Sequence, residues 1–377
     1  MRNDKKSGWW ALVDRPCDSA DLRYISSFNA RDPVACAGNG RQVHLVVPDM
    51  EFNRARRSNK RLTIWTPSLL GIKDINDRHN PAQWLHYLLK QLHVRAITVN
   101  GFFPVGAAGL LKKRGIKIEV CKKAALFDQR LVKSKCEMRN IRLAQRAAAA
   151  AMRKAVETIR NTEITASGEL LSDGHRLTSR MLQQLIRVEL IKHDCEAPDV
   201  IAAGGRQSAD PHQQGTGGLR AGQPIVLDIF PRHALSGYWG DMTRTVCRGR
   251  APDEVTRMWR AVRAAQRKAI EHIRPGVNAR TLYTLAREHL EKSGFQTSRS
   301  SAHAEGFVHG LGHGVGLDIH EAPSVGTASC VLKRGMVITI EPGLYYRKLG
   351  GVRIEDTVEI TANGARLLAA CPYEWEL

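Results

Sequence analysis

Residues 225–230 read Ile-Val-Leu-Asp-Ile-Phe, a buried-strand pattern with one carboxylate, Asp228, set inside it. An ionised side chain in such a strand is expensive unless it is paired or holds a metal. A strand pattern resumes after Ser236-Gly237 with a second carboxylate, Asp241, on the returning arm. The segment therefore predicts a hairpin with one acid on each arm. Either aspartate alone reads as an ion-paired or turn-capping residue. Two that face each other repel unless a cation lies between them.

The segment HAEGFVHGLGHGVGLDIHEAPSV, which begins at His303, sets His309, His313 and His320 among six glycines from Gly306 to Gly326. Glycine at this density packs poorly, but it lets the backbone approach a ligand and places side chains from irregular structure. A histidine cluster there is a candidate metal or acid–base site, because neutral imidazole ligates metals and titrates near operating pH. A third element, MVITIEPGLYYRKLGGVRIEDTVEIT, holds two apolar strand cores, 336–340 and 352–354, ended by Glu341 and Glu355. Gly343 and Gly350-Gly351 mark the connection as a hairpin, which lets the two glutamates approach. Glu359 reads as charge at an exposed strand end, and Asp356 as evenly balanced between that and a place in the site.

Three elements thus converge on four carboxylates and one histidine. That hard, oxygen-rich set suits two divalent ions, Mn²⁺ first and Co²⁺, Zn²⁺ or Fe²⁺ besides. Two such ions about 3.5–4 Å apart share a hydroxide, lower its pKa and hold the carbonyl it attacks, so hydrolysis is the expected chemistry.

A chain of 377 residues exceeds what one hydrophobic core usually serves, so two domains are expected. Residues 1–130 alternate strand and helix patterns. VHLVVP from Val43 and AITV from Ala96 predict buried strands, with a helix between them started by Asn80-Pro81 and presenting Trp84, Leu85, Leu88, Leu89 and Leu92. Ile116, Ile118 and Val120 alternate with polar neighbours as a half-exposed strand does. This is an α/β domain in which nothing looks catalytic. A boundary falls near 127–134, where Ser134 and Glu137 form a capping-box signature opening a long helix with Ile141, Ala144, Ala148, Met152, Val156 and Ile159 on one face. Two further amphipathic helices are expected, from Pro252 to about Ile273 and from about Asn278 to Lys292. With strands between and after them, residues 131–377 predict an α+β domain.

The amino terminus MRNDKKSGWWALVDRP has too short an apolar stretch for the h-region of a secretory signal. No later run nears the roughly 20 apolar residues of a membrane helix. The eight cysteines form no Cys-x-x-Cys pair, which argues against a zinc cluster or a disulfide framework, and a reducing cytoplasm is the expected compartment. The net charge of +20 gathers toward the amino end, where the first 130 residues hold 23 basic and 11 acidic side chains. Its densest clusters, RARRSNKR from Arg54 and LKKRGIK from Leu111, interrupt sequence patterned for folding, and no base-reading motif accompanies them. The excess reads as a solvated surface, with no specific nucleic-acid partner and no membrane.

In GHGVGLDIHE, EPGLYYRKLGGVRIED and the D…GYWGDMTRTV hairpin, over about residues 134–361, the chain resembles the metallopeptidase family of methionine aminopeptidase, aminopeptidase P, prolidase and the metal-free creatinase. The resemblance implies a pita-bread catalytic domain, 131–377, built from two weakly similar halves and preceded by a smaller creatinase-like α/β domain, 1–130. It implies that Asp228 chelates one metal, that His313 and Glu341 chelate the other, and that Asp241 and Glu355 bridge both. Glu341 would take and return the proton of the bridging hydroxide. His309 and His320 would bind the substrate carbonyl and stabilise the tetrahedral intermediate, with His212 on the substrate side. Arg353 matches an arginine that fixes the ligand carboxylates. The Asp228 to Asp241 spacing of 13 is about two residues longer than the usual family hairpin. An even-numbered insertion keeps both acids facing the same way, though Arg232 and His233 then reshape the rim.

The amino-terminal domain points to the prolidase and aminopeptidase P branch. The implied activity is hydrolysis of the bond between a first residue and proline, by an aminopeptidase or a dipeptidase, in a homodimer acting on peptides. Two other classes compete: an inactive pita-bread binding protein using its basic amino-terminal face, and a hydrolase of another amide or C–N substrate. A complete ligand set disfavours the first of these.

Overall fold

The computed structural model describes residues 8–123, 125–300 and 303–377. The stretch read above for a secretory signal begins in residues 1–7, outside the described residues. The chain divides into two compact units, Met1–Arg130 and Leu131–Leu377.

In the first unit six strands form a mixed sheet, in the order Leu62–Trp65, Val43–Val46, Val34–Gly38, Trp10–Asp14, Ala96–Val99, Lys117–Val120. The helix expected after Asn80-Pro81 is Pro81–Gln91, and the Asn80 side chain accepts from the Ala82 N–H. It buries Trp84, Leu85, Leu88 and Leu89 in the core of this unit, while Leu92 is only partly covered. The alternation expected from Ile116 fades along Lys117–Val120. Ile116 is buried and Ile118 half-buried, but Val120 is 57% exposed on this outermost strand.

The second unit opens with helix Lys135–Arg160. Ser134 Oγ accepts from the Glu137 N–H while the Glu137 carboxylate accepts from the Ser134 N–H, so the capping box closes in both directions. Helices Asp253–Glu271 and Ala279–Lys292 stand where their sequence patterns place them. One further helix, Ser179–Ile191, carries no expectation from the sequence. Its stripe of Leu182, Ile186 and Leu190 is interrupted by Gln183, which is buried because its amide donates to the Gln214 carbonyl at 2.7 Å. That tertiary partner is invisible in the periodicity.

Among the described residues this unit has two large cores. Helices Lys135–Arg160 and Ser179–Ile191 pack with the sheet Ile201–Gly204, Pro224–Ile229, Met242–Cys247. Helices Asp253–Glu271 and Ala279–Lys292 pack with Val337–Ile340, Gly350–Arg353 and Asp356–Ile360. Two helices packed on strands, made twice, give the α+β pita-bread arrangement. Among the described residues no helix is long and apolar enough to cross a membrane.

Candidate metal centre

Strands Pro224–Ile229 and Met242–Cys247 pair antiparallel with Asp228 opposite Thr243. Asp241 lies two residues before Thr243, so strand alternation turns Asp228, Thr243 and Asp241 to one face. The enlarged turn between them is itself tied down: Arg232–His233 pairs with Cys195–Glu196, and Arg232 bridges to Trp239. Asp241 is held from behind by the long helix, where Gln145 Oε1 accepts from its N–H at 2.7 Å and Gln145 Nε2 donates to its carbonyl at 2.8 Å. A Cβ on Gly240 would stand 2.6 Å from the Gln145 nitrogen, so glycine is what lets the strand reach the helix.

His313 stands in the short strand Gly312–Gly314, between Glu321–Val325 and Val337–Ile340. A Cβ on Gly312 would lie 2.0 Å from the Thr339 carbonyl oxygen, which explains one of the glycines beside the histidine. His313 Nδ1 is 3.1 Å from the Gly314 carbonyl, which can only accept, so Nδ1 carries a proton and Nε2 faces the acids. Nε2 lies 3.2 Å from Glu341 Oε1 and 3.6 Å from Asp241 Oδ2.

Ile340 pairs opposite Asp356, and Gly343 opposite Arg353. Glu341 and Glu355 occupy the break between these two ladders, one on each strand, so both leave the sheet together. Thr243 Oγ1 donates to Glu355 Oε2 at 2.8 Å, and the Glu355 N–H donates to the Thr243 carbonyl at 3.0 Å. Thr339 Oγ1 donates to Glu341 Oε1 at 3.0 Å. Asp241, His313 and Glu355 each offer a ligand atom within 4.8 Å of the others. Asp356 points elsewhere, into a buried cluster with Arg244, Gln266 and Tyr373. Its carboxylate joins strands and helix and has no place in the centre.

The electrostatics are those of acids crowded around a cation position. Burial, reinforced by the Asp228 charge, raises the Asp241 carboxyl well above the ordinary range, and burial reinforced by Asp241 does the same to Glu355. Burial opposes charge on His313, but the hydrogen bond and charge of Glu341 outweigh it and bring the imidazole up to about 9. Burial likewise opposes charge on Glu341, and His313 outweighs it, holding that carboxyl low. Asp228 Oδ2 is bonded by Arg353, whereas Asp228 Oδ1 is buried with no hydrogen-bond partner among the described residues. A buried carboxylate oxygen without a donor is costly, and four carboxylates with one imidazole are donors for hard or borderline divalent ions. The residues fit a metal.

Arg353 does more than hold Asp228. It also donates from Nη1 to the Tyr345 hydroxyl at 2.7 Å, and burial pushes the Tyr345 phenol up to about 12, so it stays protonated. That hydroxyl in turn lies 2.9 Å from His309 Nε2, while His309 Nδ1 meets the Gly310 carbonyl at 2.7 Å. Both His309 nitrogens are therefore engaged. Burial depresses the His309 pKa, which keeps the ring neutral. His320 is exposed, with its ring edge-on to His313 at 4.3 Å between centroids. Burial of part of its ring, then the His313 charge, lowers its pKa. His212 is exposed, lines a cavity of about 570 Å³ with Arg180 and Arg187, and lies close enough to His309 and His320 to act on both electrostatically. Gln145, Thr243, Thr339 and Tyr345 escape a sequence reading. Only Tyr345 leaves a trace there, as a polar tip inside the apolar run after Glu341.

The profile of metallopeptidase family M24 matches residues 139–362. The chain is 31% identical over 344 residues to the Xaa-Pro dipeptidase of Pyrococcus furiosus, covering 89% of this chain and 87% of the relative. Its fold superposes on the prolidase structure from Pyrococcus horikoshii with a TM-score of 0.79 at 28% identity, over 97% of this chain and 94% of that one. The X-Pro aminopeptidase structure from Thermotoga maritima matches with a TM-score of 0.79 over 98% of both chains. At 22% identity that likeness shows the fold alone.

Proposed function

Because the chain belongs to metallopeptidase family M24, we propose that it is an exopeptidase that hydrolyses the bond between a first residue and proline, with Leu131–Leu377 as its catalytic domain. The observation that carries this reading is the compact group of Asp241, His313 and Glu355, with the Asp228 and Glu341 charges acting on it, in a chain similar along most of its length to an Xaa-Pro dipeptidase. Asp228 would hold one divalent ion, His313 and Glu341 a second, and Asp241 and Glu355 both, with Mn²⁺ the first candidate. Bound there, the ions supply Lewis acidity, lowering the pKa of a water and polarising the scissile carbonyl.

The chain's own residues do the rest. Glu341, held ionised beside His313, takes the proton released as water adds to the carbonyl and passes it to the departing proline nitrogen. His320, exposed beside His313, meets the carbonyl oxygen where negative charge grows. Neutral His309, backed by Tyr345 and Arg353, is the second group on that side. His212, whose ring acts electrostatically on both His309 and His320, faces the proline side. A cytoplasmic homodimer without a specific nucleic-acid partner completes the proposal.

The test is cleavage of Xaa-Pro dipeptides and longer Xaa-Pro peptides with added Mn²⁺, each with a free or an acetylated amine. Cleavage confined to free-amine peptides with proline second supports the reading. Equal cleavage of acetylated peptides, or preference for peptides lacking that proline, overturns it.

A further inference from the structure

The Lys133 side chain is 1% exposed, and its ammonium forms an ion pair with Glu321, whose side chain is 6% exposed. None of the roles above uses this pair. Glu321 directly follows His320 and begins the strand Glu321–Val325, opposite Gly314, the residue after His313. Its carboxylate lies against the backbone of the loop between the two histidines: a Cβ on Gly316 would come 2.4 Å from Oε1. The Asp318 N–H points to Oε2 at 3.5 Å. Lys133 is anchored in turn, its own N–H donating to the Gly335 carbonyl at 2.8 Å.

Residues 316–320 are a succession of bends with no ladder of their own. Their path is set on one side by Trp239, which donates from its N–H to the Gly316 carbonyl at 2.8 Å and from Nε1 to the Leu317 carbonyl at 3.1 Å. On the other side it is set by the Glu321 carboxylate. An ion pair withdrawn from water contributes little net stability, because desolvating both charges offsets their attraction. What it fixes is geometry, since either charge left alone in that place is strongly unfavourable.

We propose that Lys133 and Glu321 are positioning residues for His320: the buried pair clamps the bend so that His320 stands over His313, at 4.3 Å between ring centroids. This rests on the peptidase reading, in which His320 meets the substrate. Neither residue touches the reacting atoms. They act through the imidazole, so their loss and the loss of that imidazole are one event counted twice.

The experiment is a double-mutant cycle in the full chain loaded with Mn²⁺. Glu321→Gln and Lys133→Met are each made alone and with His320→Ala, and kcat, KM and bound metal are measured on an Xaa-Pro dipeptide. Each single variant should lose on the order of 10²-fold in kcat, the scale of a small misplacement near the chemistry, with metal content kept. On the His320→Ala background the same changes should cost less than about 3-fold, as expected of groups acting as a unit. Losses that multiply, or metal that departs with the pair, overturn the proposal. Because the single variants risk misfolding, Glu321→Asp and Lys133→Met with Glu321→Leu are made as well. The first should recover part of the activity, and the second should fold yet stay slow; a fast double variant also overturns it. The His320 imidazole NMR signal, identified by its loss in His320→Ala, gives a readout independent of turnover. It should shift in Glu321→Gln, and an unmoved signal counts against the clamp. A wild-type chain that cuts no Xaa-Pro peptide defeats the peptidase reading instead, and the NMR result then decides the clamp.

Discussion

Arg353 donates from Nη2 to Asp228 Oδ2 at 2.8 Å, and the other oxygen of that carboxylate is left buried without a hydrogen-bond partner among the described residues. The guanidinium thereby sets which oxygen of Asp228 faces the centre. Three further donors of the same fork go to Tyr345, Thr243 and the Pro211 carbonyl, which hold it against turning. Lysine keeps the charge but cannot span these partners at once. We expect Arg353→Lys to weaken metal binding by about 10–100-fold, the usual effect of removing a group that orients a ligand. Calorimetric titration with Mn²⁺ measures it, and an unchanged affinity would remove the orienting role.

The pH dependence follows from the shifted groups. The folded, metal-free chain holds protons on Asp241 and Glu355, whose pKa values are raised, and on His313, raised to about 9 from 6.5. Over the range between the ordinary values and the raised ones the folded state binds more protons than the unfolded state, so its stability falls as pH rises. For His313 that contribution is fully present below about 6.5 and is lost as pH passes 9. Metal binding displaces the same protons, so affinity should climb over this window. Melting temperatures with chelator and with Mn²⁺ should therefore diverge from pH 6 to pH 9. Parallel curves would mean that these protons are not linked to the metal.

Asp241→Asn and Glu355→Gln should abolish turnover and lower bound metal, since each removes a donor proposed for both ions. The same changes remove one of several acids that raise each other's pKa. The metal-free variants should then melt a few degrees higher than the metal-free parent at pH 8, because a neutral amide sits among the remaining acids without having to take up a proton. Full metal occupancy with normal turnover in either variant would remove the dinuclear assignment.

The acids and the histidine were legible because each breaks a local pattern: Asp228 an apolar strand, His313 a glycine-rich run, Glu341 and Glu355 the ends of strand cores. Their supports were not, because those break nothing nearby. Gln145 reaches Asp241 across 96 positions and Thr243 reaches Glu355 across 112. On its own helix or strand each looks like an ordinary polar residue, and only the folded chain shows it buried. Helices Lys135–Arg160, Asp253–Glu271 and Ala279–Lys292 were legible through their starts and stripes, and the helix Ser179–Ile191 was hidden by Gln183 for the same reason.

The histidines should separate metal binding from chemistry. His309 spends both nitrogens on Gly310 and Tyr345, and His320 stands exposed beside His313, so neither is placed as His313 is, with Nε2 turned to the acids. If they act where charge develops on the carbonyl oxygen, their removal should leave the metals in place and appear in kcat. We expect His320→Ala to lose on the order of 10² in kcat with full metal content, the scale reported for removing one oxyanion stabiliser. For His309 the link through Tyr345 makes a sharper statement. Tyr345→Phe removes the donor to His309 Nε2 and an acceptor of Arg353, so it should lower kcat in the wild-type background and much less once His309 is already alanine. Single-turnover rates and metal analysis on the four proteins of that cycle decide it. Losses that simply multiply would leave His309 and Tyr345 as separate contributors, and metal lost with His309 would move that histidine from the chemistry to the support of the centre.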